Sequence, residues 1–433
     1  MAKKLGFLAV SSFVVSNMVG TGVFTSLGFQ LDSVSNGWAV LLLWVVGGVL
    51  ALCGALVYGE LGSVMPRSGG EYHYLSVIYH PSLGFLSGWV SLTVGFTAPI
   101  ALASMAFGEY VHHVFPFISP VVMAVGVLTL VSVLHSFTIH LGGKVQTGIT
   151  FFNLCLILFF IVAGLFFSSH TPLLAEEIKK LSWHDVLAPS FAVSLIYVSY
   201  AYSGWNAAAY IAGDIERPSY VLPRALVVST SVVMILYLLL NLVFLLTAPV
   251  NELKGQVEVG AISAQYIFGA VGGRIISLII SFLLLSSVSS MVFIGPRVTQ
   301  AMGEDIRLFR VFARKSSTGV PLYALWFQYL ICLLLIITSS FERVLTYAGF
   351  TLALFTFLAV MGLFVHRYRY PAVERPYKTP GYPFVPLLFL ALVLWTLVYL
   401  IRERPQASLM GLCTLVAGVV VYGLNHIFAK TKK

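Results

Sequence analysis

Apolar residues run along this chain in long unbroken stretches, not in the alternating or every-third-residue patterns of a soluble domain. Twelve stretches reach spanning length: 5–31, 37–64, 82–110, 117–136, 147–169, 186–212, 225–248, 270–298, 320–338, 342–366, 382–401 and 407–428. About 20 predominantly apolar residues suffice for one helix to cross the hydrocarbon core of a bilayer. A helix that is apolar all round must be surrounded by lipid or by other helices. The pattern therefore predicts an all-α polytopic membrane protein of about 12 transmembrane helices, called spans 1 to 12 below, in a single domain covering 1–433. The connections are too short to hold a separate soluble domain, and no low-complexity segment interrupts them.

Composition agrees with a lipid solvent. Hydrophobic residues make up 59% of the chain and charged residues only 9%, with a mean hydropathy of +0.94. A soluble surface needs about three times that charge. The net charge of +9 does not point to nucleic acid, because the basic residues sit in short connections between apolar runs. With the amino terminus in the cytoplasm, 18 of the 25 Lys and Arg fall on that side and 7 on the other. The densest groups are Arg307, Arg310, Arg314 and Lys315; Arg367, Arg369, Arg375 and Lys378; and Lys430, Lys432 and Lys433. That asymmetry predicts cytoplasmic termini in a plasma (inner) membrane. The start, MAKKLGFLAV, stays apolar as far as Leu31, so it is expected to be a retained first helix and not a signal peptide.

Two spans are interrupted at mid-depth. Span 1 contains Gly20-Thr21-Gly22, flanked by Asn17; span 6 contains Ser203-Gly204, flanked by Tyr202 and Asn206. Glycine in a helix interior costs helix propensity, and small residues at helix contacts account for many membrane glycines. Here both breaks carry polar neighbours, and they lie five helices apart, each in the first helix of a five-helix unit. Paired discontinuous helices in corresponding halves are the pattern of a transporter site. A break inside lipid frees backbone groups that something must satisfy. The half-helix N-terminus offers N–H groups to a carboxylate; the opposite end offers carbonyls to an ammonium. Two facing breaks would bind both ends of a zwitterion without a buried charged side chain. The centres of spans 1, 3, 6, 8 and 10 contain no Asp, Glu, Lys or Arg, which favours a net-neutral ligand.

At these residues the chain resembles the amino acid–polyamine–organocation permease superfamily. Asn17-Met18-Val19-Gly20-Thr21-Gly22-Val23-Phe24 is similar to its first-helix signature, and Pro66-Arg67-Ser68-Gly69-Gly70-Glu71-Tyr72 to the loop after helix 2. Tyr200-Ala201-Tyr202-Ser203-Gly204-Trp205-Asn206 resembles helix 6 of L-type and related bacterial neutral amino acid permeases. Gly213-Asp214-Ile215-Glu216-Arg217-Pro218 with Pro223-Arg224-Ala225, and Gly295-Pro296-Arg297-Val298, follow in matching order; spans 9 to 12 match in length and topology only. The resemblance implies the leucine-transporter-type fold: inverted repeats at 5–169 and 186–366, with two further helices at 382–428. It implies that Thr21 and Gly22 offer N–H groups to a substrate carboxylate, and that the carbonyls of Met18, Tyr200 and Ser203 take its amino group. Tyr200 would be an aromatic gate, against the plainer reading of a packed aromatic. Asn206 would be a polar wall of the pocket, with Asn17, Gly20, Ala201, Tyr202 and Gly204 completing the surround.

One departure concerns coupling. Many sodium-independent members carry a helix 5 lysine whose ammonium stands where sodium sits in sodium-coupled relatives. Lys144-Val145-Gln146 is present here, but the expected lysine position is Asn153. Either the Asn153 amide satisfies the carbonyls of Ser16 and Val19, or water or sodium enters with Ser286, Ser287, Ser289 and Ser290 of span 8. Those serines also fit a plain role as helix-packing groups. The coupling ion, proton or sodium, stays open.

The remaining polar residues have plainer readings. Glu60 is expected to pair with Arg67 or a neighbour near the end of span 2. Glu109, His112 and His113 form no metal constellation, and His135 and His140 are expected to be solvated at the end of span 4. Cys53, Cys155, Cys332 and Cys413 lack metal-ligand spacing and read as helix-packing residues. No nucleophile–base pair, Walker loop or H-E-x-x-H motif appears, so neither enzyme, cofactor nor metal is implied. The sequence therefore predicts secondary or exchange transport of amino acids by alternating access, with a cationic amino acid or polyamine permease of the same fold as the alternative and a channel as the weakest reading.

Overall fold

Helix starts in this chain are written in proline and asparagine. Helices begin at Pro81, Pro120, Pro189, Pro218 and Pro405, the first-turn position where a missing N–H costs nothing. Asn36 caps span 2: its Oδ1 accepts from the N–H groups of Trp38 at 3.0 Å and Ala39 at 3.4 Å. The computed structural model describes residues 4–34, 36–137, 143–167, 182–317 and 319–430; His140, Lys432 and Lys433 lie outside them. Among these residues nine helices are long and apolar enough to cross a membrane, and Phe151–Phe166, Pro189–Ala201 and Leu322–Thr338 are shorter apolar helices. Together they match the twelve predicted spans.

Span 2 (Gly37–Val64) is the central post. It packs along its length on span 7 (Pro218–Thr247) and also meets spans 6, 10 and 11. Small residues permit this closeness: a Cβ on Gly47 would sit 2.4 Å from Val198, and one on Gly48 2.4 Å from Met234. Span 3 (Pro81–Val114) carries a π-helical turn at Ser91–Gly95 and packs on spans 4 and 8. A helix that starts at Val259 ends at a break at Gly269, whose φ is 77° and ψ 176°, and span 8 proper follows it, running on to Asp305, beyond the expected end at 298. The expected start at 270 coincides with that break.

Backbone pairing ties the chain start to the segment after span 6. Leu5 N–H donates to the Asp214 carbonyl and Glu216 N–H to the Leu5 carbonyl, both at 2.9 Å. The ends of the two broken helices on this face are thus held together. We refer to it as the amino-terminal face.

Glu60 does not pair with Arg67. It is 1% exposed and takes a forked contact from Arg367, with Nε at 2.9 Å and Nη2 at 2.6 Å. Arg375 lies 3.3 Å away and the Thr379 N–H 2.7 Å away. All three partners follow span 10, some 300 positions on, where adjacency in sequence gives no hint of them. A buried carboxylate with this many donors is an all-or-nothing arrangement, because loss of one partner strands the others. Glu60→Gln should destabilise the fold by about 3 kcal/mol, read as a lower melting temperature in detergent; an unchanged midpoint would show that the cluster contributes nothing to stability.

His135 also departs from expectation. It is buried, and its Nε2 lies 2.8 Å from Ser289 Oγ of span 8.

Candidate functional site

Span 1 is helical over Phe7–Met18, leaves the helix at Val19–Gly20, and resumes at Thr21–Thr25 and Leu27–Ser33. Span 6 is helical over Pro189–Ala201, turns through 202–206, and ends in a short helix at Ala207–Tyr210. The two breaks lie against one another. A Cβ on Gly22 would fall 2.4 Å from the Ala201 Cα, and one on Gly204 would fall 2.5 Å from the Asn17 carbonyl oxygen. Gly204 also has φ 94°, a left-handed backbone that glycine adopts at no steric cost. Gly22 and Gly204 thus serve helix-to-helix contact first, whereas Gly20 has nothing within 4 Å of a would-be Cβ.

Free backbone groups result. The N–H groups of Thr21 and Gly22 donate to no described group, as expected at the start of a helix. On the acceptor side, the three carbonyls differ. Met18 O already takes the Tyr237 hydroxyl of span 7 at 2.6 Å. Tyr200 O takes the Ser203 N–H at 2.9 Å, and Ser203 O accepts from no described group. Each carbonyl has two lone pairs, so Met18 O retains one, whereas Tyr200 O is also approached by the Tyr202 N–H. Tyr237 packs against Trp44 and Tyr202, and no local signal ties it to Met18. Asn17 turns its amide back to the Phe13 carbonyl at 2.8 Å.

A cavity of about 1350 Å³ opens at the breaks. Its walls include Gly20, Thr21, Tyr200, Ser203 and Asn206, and it extends past Leu8, Phe13, His135 and Ile211 toward the amino-terminal face. Ser286, Ser287, Ser289 and Ser290 line it too. Asn153 is 9% exposed on span 5, a helix that packs on spans 1, 7 and 8. The opposite end is shut. Phe29 stacks on Phe341 at 5.6 Å between ring centroids and meets the Tyr197 ring edge-on. The Tyr197 hydroxyl donates to Glu342 at 2.7 Å, and Arg404 holds the same carboxylate at 2.7 Å. The molecule therefore stands open toward the amino-terminal face and closed on the other.

One wall residue was not expected. Glu71 lines the cavity, although it is 5% exposed. The Pro66–Gly70 loop docks under span 6: Gly69 N–H donates to the Tyr210 carbonyl at 3.1 Å, and Gly213 N–H to Ser68 Oγ at 3.0 Å. Gly70, at φ 51°, turns the chain where a Cβ would strike the Tyr210 ring. The helix Glu71–Ile78 then starts directly below the break. Glu71 Oε1 accepts from the Tyr58 hydroxyl at 2.6 Å and from Asn206 Nδ2 at 3.2 Å. Burial raises this carboxyl to about 7, against the pull of the Tyr58 and Asn206 hydrogen bonds. Position 71 falls between apolar runs, outside the predicted spans; the fold turns that segment back inward. The one local signal was the Gly69-Gly70 pair just before it.

Among the described residues no group of three His, Cys, Asp or Glu is arranged to hold a metal ion. His112 instead contacts the Ile118 carbonyl at 2.8 Å.

The amino acid permease family model matches residues 5–420. The chain belongs to that family. It is 29% identical to the serine/threonine exchanger SteT of Bacillus subtilis, over 98% of this chain and 97% of that one. It is 26% identical to the mouse b(0,+)-type amino acid transporter 1, covering 98% and 88%, and 28% identical to the human cystine/glutamate transporter, covering 99% and 86%. This permease is a multi-pass membrane protein of amino acid transport or exchange and not an enzyme.

Proposed function

We propose that the permease carries neutral L-amino acids across the plasma membrane by alternating access, with both termini cytoplasmic and five-helix inverted repeats at 5–169 and 186–366. The supporting observation is the pair of facing breaks, which offers free N–H groups at Thr21 and Gly22 and a free carbonyl at Ser203 to one cavity. Such a site recognises the two ends common to all amino acids. The name of the serine/threonine exchanger is in keeping with a neutral substrate. In the resulting reading the present shape is inward-open, and the Phe29–Phe341–Tyr197 contact with the Glu342–Arg404 pair forms the shut outer gate.

A second reading has one observation in its favour: Glu71 is a cavity carboxylate with no basic partner among the described residues. An ammonium side chain would complement it, as in a cationic amino acid or polyamine permease. Competition in proteoliposomes decides between them. Alanine, threonine, leucine and phenylalanine should displace labelled substrate better than arginine, lysine or spermidine; stronger competition by arginine than by the neutral set would establish the second reading. Saturable flux with counterflow would mark a carrier, and its absence a channel.

A further inference from the structure

The Glu71–Asn206 contact fixes something that the position of Asn206 alone leaves open. An amide side chain has one donor end and one acceptor end, and which end faces a ligand is set by what holds the other. Glu71, when ionised, can only accept. Tyr58 anchors it from span 2 by a 2.6 Å hydrogen bond, and the Tyr58 ring is itself wedged edge-on against Trp205 at 4.8 Å. The carboxylate is thus a rigid acceptor, and the Asn206 amide gives it Nδ2 at 3.2 Å. Asn206 Oδ1 has no hydrogen-bond partner among the described residues, and the residue lines the cavity.

We propose that Glu71 is a specificity-determining positioning residue: it holds the Asn206 amide so that Oδ1 faces the substrate, selecting amino acids whose side chain donates a hydrogen bond. The favoured class is small hydroxyl-bearing neutral amino acids. Threonine and valine test this cleanly, because they have the same shape and differ by a hydroxyl in place of a methyl. A preoriented acceptor rewards the hydroxyl and is left unpaired by the methyl. The inference rests on the reading of the two breaks as the substrate site.

The experiment is competition by threonine and valine against labelled alanine uptake in proteoliposomes of the full chain. It is run at pH 8, above the value of about 7 to which burial brings Glu71. The unmodified protein should prefer threonine by about tenfold. Glu71→Gln offers either amide end to Asn206, so the ratio should fall to about twofold; Tyr58→Phe should lower it less. Asn206→Ala removes the acceptor itself and supplies the same test should Glu71→Gln fold poorly. Equal competition in the unmodified protein, a threonine preference that survives in a folded Glu71→Gln, or one that survives in Asn206→Ala, overturns the inference. So does arginine outcompeting threonine and losing that advantage in Glu71→Gln, since Glu71 would then pair the substrate directly. The parent reading is tested separately by Gly22→Leu. Wild-type uptake in that variant removes the site and the inference together, whereas a Gly22-sensitive uptake with an unaltered ratio removes the inference alone.

Discussion

Gly22→Leu is expected to abolish uptake while the protein still inserts in the membrane. The variant adds apolar surface to an apolar span, so insertion is not opposed. What it cannot do is keep the breaks together. The first added carbon would stand 2.4 Å from the Ala201 Cα and 2.8 Å from its Cβ, a clash with backbone that no rotamer change relieves. The two broken helices must part there, at a local overpacking cost of about 1–3 kcal/mol, and the free N–H groups of Thr21 and Gly22 shift relative to span 6. Gly20→Ala separates this packing effect from occupation of the substrate space. Nothing lies within 4 Å of its added methyl, so melting temperature should hold while apparent affinity falls by about tenfold, the equivalent of one lost hydrogen bond. Transport rates and detergent melting curves on both variants check the pair. Wild-type affinity in Gly22→Leu would remove the site from the breaks.

The span count was legible because lipid imposes one requirement on every crossing helix, sustained apolarity over about 20 residues. The breaks were legible for a related reason: glycine beside asparagine, threonine or serine at mid-depth conflicts with that requirement. Pairings across hundreds of residues left no such mark. Tyr237 reaches Met18 from 219 positions away, His135 meets Ser289 across 154, and Arg367 clasps Glu60 across 307. Each residue alone reads as an ordinary packed or interfacial side chain. Glu71 was hidden differently. Hydropathy assigns the stretch between spans 2 and 3 to a solvated connection, yet Gly70 turns it back beneath span 6 and buries its carboxylate. Composition records how much charge a segment carries but not whether the fold draws that segment inward.

Asn153 leads to the other large expected effect. Asn153 is a buried amide on span 5, a helix that packs on spans 1, 7 and 8, and the Val19 carbonyl of span 1 accepts no hydrogen bond from the described residues. Polar groups at membrane depth need a partner, so this carbonyl awaits a donor or a cation. The span 8 serines are partly committed: Ser289 Oγ faces His135, and Ser287 Oγ donates to the Leu283 carbonyl at 3.3 Å. Glu71 is the sole described carboxylate in the cavity wall, and it is engaged with Tyr58 and Asn206. A sodium ion would therefore sit among neutral ligands with no countercharge, at a desolvation cost of several kcal/mol. An amide supplies donors at no such cost. We therefore expect uptake by the unmodified permease to be independent of sodium when ionic strength is held fixed. Asn153→Asp should reverse the chemistry, putting an acceptor where a donor is needed and burying a charge. Uptake without sodium should fall by at least about tenfold, since even 1.4 kcal/mol of unpaired burial has that effect, and sodium should restore part of it. The decisive measurement is initial uptake rate against external sodium, replaced by choline, for both proteins. A steep rise with sodium in the unmodified protein would exclude the amide role and assign the ion to the span 8 serines and the Val19 carbonyl.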